Sequence, residues 1–413
     1  MDRANPSRRD FLARAAAGAL AFGASPILAR RAAASAASAA APAPFLVVVN
    51  LIGGNDGLNT IVPTHLGRYY ALRPNLALPA TSLPLLSGGF RLHPALTKLK
   101  GVWDAGELHV VHKVGYPQGN GSHFTSSDIY SYGARDLETN RRDGRGWLGR
   151  FTDAHCASPA NPLGAVVVGL GRTPDVNAKA VPPLLLRDPD TLDLLPDPQF
   201  AADHALRVAA VQRMLGRGAG EDEVRRVLTT AHSLAADFRP RLAGWRSPAA
   251  YPSTHLGQGL RVVSQLLHGS FGTRIFVTGF SGFDTHAGQL VQHAALLEQL
   301  DGALGSFRTD LVSKGLWSKC VVVVISEFGR RNGENGSGGT DHGYGNAFLV
   351  MGGAVRGARM TGTLTDADLG DESAPFAYDF REIYAHVLER HLGLDAAPVF
   401  PEPFQRSGEI TLV

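Results

Sequence analysis

Cysteine is nearly absent: Cys156 and Cys320 are the only two in 413 residues. Two cysteines build no disulfide framework, so stability must come from a hydrophobic core. A single bridge stays open, and Cys320, at the head of an apolar run, also reads as a small buried residue. Long hydrophobic runs are missing as well. No stretch approaches the roughly 20 apolar residues that a membrane-spanning helix requires, so no stable membrane span is expected. Positive charge is scarce once the first residues are set aside. The formal net charge is +3, but six arginines and two aspartates ahead of residue 44 supply +4, leaving the rest at −1. That balance excludes a basic nucleic-acid surface. Internal repeats and long linkers are also lacking, and one large domain is the expectation.

What is present begins with an address. Ser7-Arg8-Arg9-Asp10-Phe11-Leu12 is a twin-arginine pattern, followed by a weakly apolar stretch from Ala13 to Leu28. Arg14 and Pro26 interrupt it, and small residues run on to Pro44. Residues 1–41 read as a twin-arginine signal peptide and linker, removed before the fold is considered. The expected partner is the twin-arginine translocase during export, and the expected location is the periplasm or outside the cell.

From 42 to 413, apolar runs alternate with helix-period segments, the pattern of βα units around a mainly parallel sheet with helices on both faces. Strands are expected at Phe45 to Val49, Leu108 to His112, Ala165 to Val168, Arg274 to Thr278, Val321 to Ile325 and Ala347 to Met351. Helices are expected over Ala202 to Leu215, Glu221 to Phe238, Gly257 to Leu267, Leu290 to Leu304 and Phe380 to Leu392. Residues 169–198, rich in proline and glycine, read as an insertion over one sheet edge, with Pro183 to Arg187 as an added strand.

In such sheets ligands bind beyond the carboxyl ends of the strands. Asp56 follows the first strand in Gly53-Gly54-Asn55-Asp56-Gly57. Ser122 and His123 precede a helix, Asp284-Thr285-His286 follows another strand, Glu327 ends the Val321 to Ile325 run, and Asp341-His342 leads into the next strand. Each has a plain structural alternative: Asn-Asp-Gly as a turn, Asp284 as a helix cap, His342 as a hydrogen-bonded core histidine. Thr125 with Asp128 offers a capping box that would start the helix three residues later. Together, however, these groups meet at one sheet edge, where crowded carboxylates need a cation or protons. Imidazole with carboxylate suits zinc, manganese or iron, and carboxylate with water suits magnesium or calcium. Ser122 beside a metal at a helix N-terminus is a candidate nucleophile toward a phosphate- or sulfate-like group.

These stretches resemble the DUF1501 family, twin-arginine-exported members of the alkaline phosphatase/sulfatase-like superfamily. The resemblance rests on "NLIGGNDGLNT", "GSHFTSSDIYSYG", "GFDTHAGQL" and "ISEFGRRNGENGSGGTDHGYGNAFLVMGG". It implies an alkaline phosphatase-like three-layer sandwich with a site for divalent metal ions, zinc, manganese, magnesium or calcium not distinguished. Asp56, Asp284, His286, Glu327 and His342 match the metal ligands and Ser122 the nucleophile. Glu327, not Asp341, is aligned with the start of the superfamily's Asp-His-Gly strand end, because it directly follows the buried strand. Phe328 then stands where a second histidine ligand is usual, and no Cys-x-Pro-x-Arg occurs, which excludes a formylglycine sulfatase. Arg330 is a candidate clamp for a substrate oxygen or a solvated loop residue; His123 orients the serine or leaving group, or simply packs. The expected activity is a metal-dependent hydrolase or transferase of phosphate or sulfate esters, on a small-molecule or polymer substrate. The alternatives are a reduced envelope binding or assembly protein and a metal-free serine esterase, though Gly-x-Ser-x-Gly is not found around Ser122.

Overall fold

The computed structural model describes residues 43–157, 161, 163–171, 173–186 and 240–413. The segment read as an export signal and the helices expected over 202–215 and 221–238 lie outside the described residues. Eleven strands are found among the described residues. They are β1 (Phe45–Ile52), β2 (Ile61–Pro63), β3 (Phe90–Leu92), β4 (Leu108–Gly115), β5 (Ala165–Val168), β6 (Leu184–Leu186), β7 (Ile275–Ser281), β8 (Cys320–Ile325), β9 (Asn346–Met351), β10 (Arg359–Thr361) and β11 (Tyr378–Asp379). Nine of them form one sheet in the order β10-β4-β9-β8-β1-β7-β5-β6, with β11 beside β4; β2 and β3 pair separately.

Each long strand reads as a continuous apolar run because helices cover both faces. Along β1, Phe45, Val47, Val49 and Leu51 enter one core. There they meet helices α1 (Thr97–Asp104), α4 (His255–Gly269) and α5 (Gln289–Ser313). Leu46 and Val48 enter the other core, against α2 (His123–Tyr132), α3 (Trp147–His155) and α6 (Phe380–His386). Burying each such side chain contributes about 1.5–3 kcal/mol. The expected fold class is therefore what the described chain shows: a mainly parallel sheet between two helical layers. Cys320 lies in the first core and Cys156 in the second, and both are free. The sheet stands between them, which settles the open bridge against a disulfide.

Direction in the sheet explains where the polar residues gather. β1 runs parallel to β7 and β8, and β5 parallel to β6 and β7. Only β9 runs against its neighbours, β8 and β4. Its start therefore lies on the edge where β1, β7 and β8 end. Gly53, just past β1, has φ +122°, and a Cβ there would stand 2.4 Å from the backbone nitrogen of Asp284. Only glycine lets the β1 and β7 turns come this close.

Candidate metal centre

Three imidazoles meet at this edge. His123 opens α2, where Ser122 is the helix cap and accepts from Thr125 N at 3.4 Å. The helix thus starts at His123, not three residues later. His286 follows β7 in the turn that leads into α5. His342 arrives on the loop between β8 and β9, which folds back on itself: Gly329 N donates to Tyr344 O at 2.9 Å and Gly343 N to Gly329 O at 2.8 Å. A Cβ on Gly329 would stand 2.2 Å from Gly345 O, so this hairpin of backbone closes only through glycine.

Each ring is anchored through Nδ1. His123 Nδ1 lies 2.8 Å from Glu327 Oε1, His286 Nδ1 3.1 Å from Asp341 Oδ1, and His342 Nδ1 2.6 Å from Gly121 O. All three partners are acceptors, so the proton of each neutral ring sits on Nδ1. The three Nε2 lone pairs then face Asp284 Oδ1, at 3.4 Å from His123, 3.0 Å from His286 and 3.2 Å from His342. His286 Nε2 and His342 Nε2 are 2.8 Å apart. Lone pairs converging on a carboxylate oxygen repel one another unless a cation neutralises them. His123 Nε2 is, moreover, buried and without a hydrogen-bond partner. His123, Asp284 and His342 offer ligand atoms within 4.8 Å of one another. A histidine fixed through one ring nitrogen by a carboxylate or carbonyl, with the other nitrogen facing inward, is the usual arrangement around a metal. The donor set fits a borderline divalent ion.

The carboxylates divide into roles that spacing alone does not reveal. Asp284 is about half exposed, with a side-chain exposure of 48%. Burial pushes its pKa up, but Arg330, His342 and His123 outweigh that and hold it down to about 2. Glu327 is buried and stands behind His123, not among the inward-facing atoms: its Oε1 also accepts from Gly53 N at 2.8 Å and its Oε2 from Ser326 Oγ at 3.1 Å. Its hydrogen bond, more than any charge, raises the His123 pKa above the ordinary histidine value. Asp56 does not join the cluster. Its Oδ1 accepts from Leu58 N and Asn59 N, and its Oδ2 from Arg73 at 2.6 Å and from Gln289. Four donors fill a carboxylate's lone pairs, so none is left for a metal. Burial pushes the Asp56 pKa up, yet Arg73 and His293 hold it below the usual carboxylate range.

Arg330 is not a solvated loop residue. It is fully buried and donates to the carbonyls of Gly54 (2.6 Å), Thr340 (2.9 Å), Phe283 (3.0 Å) and Gly53, and to Asp284 Oδ1 at 2.7 Å. It ties the β1, β7 and β8 turns together. Phe328 is buried, its ring 4.8 Å from those of both His123 and His342. The sequence reading missed two residues. Asp341, set aside in favour of Glu327, holds His286 through Nδ1. Asn335 donates to Asp341 Oδ1 and to His286 O, both at 3.0 Å. Its place in a glycine-rich loop carries no signal beyond turn chemistry.

Residues 255–411 match the model of the family described as "Protein of unknown function (DUF1501)". The stretch includes Asp284, His286, Glu327, Arg330, Asp341 and His342. Among solved structures, the chain is similar to the lipoteichoic acid synthase LtaP from Listeria monocytogenes (8% identity, TM-score 0.35), covering 85% of this chain and 72% of that one. It is similar to a protein in the alkaline phosphatase superfamily from Vibrio parahaemolyticus (11%, TM-score 0.36), covering 89% and 72%. It is also similar to PsFucS1 sulfatase from Pseudoalteromonas sp. (11%, TM-score 0.37), covering 85% and 68%. No curated protein sequence matches the chain. Scores of this size leave the site to be read from its own residues.

Proposed function

We propose that the protein is an exported, metal-dependent hydrolase or transferase of phosphate or sulfate esters. One observation carries this reading: three imidazoles, each anchored through Nδ1, turn their Nε2 atoms onto Asp284 Oδ1 beside the capped start of α2. His123, Asp284, His286 and His342 would hold a divalent ion, with Glu327 and Asp341 orienting two of the rings. The ion would supply Lewis-acid polarisation of an ester oxygen and lower the pKa of a nearby hydroxyl. Ser122 is the candidate nucleophile, its Oγ held by Thr125 N at 3.4 Å. Asp56 and Arg330 act behind the site, holding the turns that carry it. The half-exposed Asp284 leaves the cluster open to a substrate from solvent.

The twin-arginine segment supports export to the periplasm or beyond, with the first 41 residues as the leader. No helix among the described residues is long and apolar enough to cross a membrane.

The test combines metal analysis of the folded protein with a panel of aryl phosphate, phosphodiester and aryl sulfate substrates. Asp284→Ala and His342→Ala should lose both metal and cleavage; Ser122→Ala should keep the metal and lose cleavage. Phe328, packed against two of the imidazoles, favours the second reading, a binding protein that keeps one metal without turnover. Metal bound at full occupancy with no ester cleaved would select that reading; absence of metal would defeat both.

A further inference from the structure

Between β4 and α2 the chain passes Tyr116 and Asn120 before it reaches Ser122 and His123. Tyr116 is buried, and so is Ser126, one turn into α2. Their hydroxyls close a ring of hydrogen bonds on the backbone of Asn120. Asn120 N donates to Tyr116 Oη at 3.0 Å, and Ser126 Oγ donates to Asn120 O at 2.6 Å. Each hydroxyl carries one proton, so the 2.7 Å contact between the two oxygens is donated by Tyr116 to Ser126. Hydrogen bonds linked in this way strengthen one another in a low-dielectric interior. Asn120 is itself exposed, yet both of its backbone polar groups are held by buried side chains.

Two further bonds leave this segment, one toward each half of the site. Asn120 Oδ1 accepts from Ser122 N at 2.7 Å. Gly121 O is the acceptor for His342 Nδ1 at 2.6 Å. That N–H and that carbonyl belong to the same peptide unit, which is planar. Fixing one of them fixes the other. A second contact ties the same two loops: a Cβ on Gly119 would stand 2.6 Å from Tyr344 Cδ1, two residues beyond His342.

We propose that Tyr116 and Asn120 are positioning residues, and that the Gly121–Ser122 peptide couples the placement of Ser122 to metal binding. The inference rests on the reading of the imidazole cluster as a metal centre. With Nε2 turned to a divalent ion, the His342 ring keeps its Nδ1–H aimed at Gly121 O and so holds the peptide that carries Ser122. Without an ion, the lone pairs that converge on Asp284 repel one another, and the peptide loses its fixed donor. Coupling of this kind is reciprocal, so the ring of bonds on Asn120 raises the affinity of the centre for its ion.

The test reads amide exchange by NMR on the full chain, with and without zinc, beside zinc affinity by competition with a chelator. Zinc should slow exchange at Ser122 N about tenfold in the wild type, the weight of one hydrogen bond. Tyr116→Phe should weaken zinc binding about tenfold and remove most of that slowing. A packing role alone would lower the melting temperature equally with and without zinc and leave the affinity where it was. Asn120→Ala spares the backbone ring, so it should keep the zinc affinity while kcat falls at least about tenfold at nearly constant KM. Asn120→Asp restores an acceptor and should recover kcat. Exchange at Ser122 unmoved by zinc, or zinc affinity unmoved by Tyr116→Phe, would overturn the proposal. Zinc bound in either case would leave the metal centre standing, whereas absence of zinc would defeat both. Coupled exchange without ester cleavage would defeat the reaction and keep the coupling.

Discussion

Glu327 and Asp341 do the same work on two different rings: each accepts a hydrogen bond from the Nδ1–H of a histidine and so aims the opposite nitrogen inward. If that is their role, Glu327→Gln and Asp341→Asn should each weaken metal binding about 10–100-fold without removing a ligand. Competition with a calibrated chelator would measure it, and unchanged affinity would return both carboxylates to a packing role. Arg330 belongs to a different category. Four backbone carbonyls depend on its guanidinium, so Arg330→Met should cost about 3–5 kcal/mol in urea unfolding. Lys, with a point charge in place of a planar fork, should not rescue it. At this scale the sequence was readable where chemistry is local. Asp284, His286 and His342 stand out only as a group, because imidazole and carboxylate recur at strand ends, while each alone has a plain structural reading. Asp56 looks the same on paper, and only the distant Arg73 and Gln289 reveal that its oxygens are taken.

Among the elements, β9 decides the site. Because it alone runs against its neighbours, the loop after β8 must return to the edge it left, bringing His342 to Glu327's side. Strand direction is not written in an apolar run, so the meeting of a strand's end with another's start had to come from the sheet. The long strands themselves were readable, since each carries a short apolar run that is covered on both faces. The three-residue β10 and two-residue β11 were not, because a few residues carry no period. The turn after β1 makes a direct test. Gly53→Ala places a Cβ against the Asp284 amide and forces a left-handed φ on alanine. The expected loss is at least about 2 kcal/mol, with metal affinity falling alongside stability. A neutral effect on both would mean the two turns are not locked together.

For the molecule as a whole, pH sensitivity follows from histidines outside the metal centre. Burial lowers the pKa of His93 and His293 to about 4 and of His112 to about 3, from an ordinary 6.5. They stay neutral in the folded state while the unfolded chain takes up protons as pH drops below 6.5. Stability is therefore full above that pH and falls on acidification toward 4, by at most about 3 kcal/mol for each of the three. Urea unfolding across pH 4 to 7 should show this slope, and His112→Phe should flatten it; a flat profile for the wild type would contradict the assignment.

The central claim is a place in space, the point enclosed by His123, His286, His342 and Asp284. Anomalous diffraction from crystals of the protein grown with zinc or manganese locates a bound ion without reference to activity. The structure predicts one peak there, bordered by the three Nε2 atoms and Asp284 Oδ1, and its disappearance in His342→Ala. A peak seated instead at Asp56, or no peak at all, would contradict it.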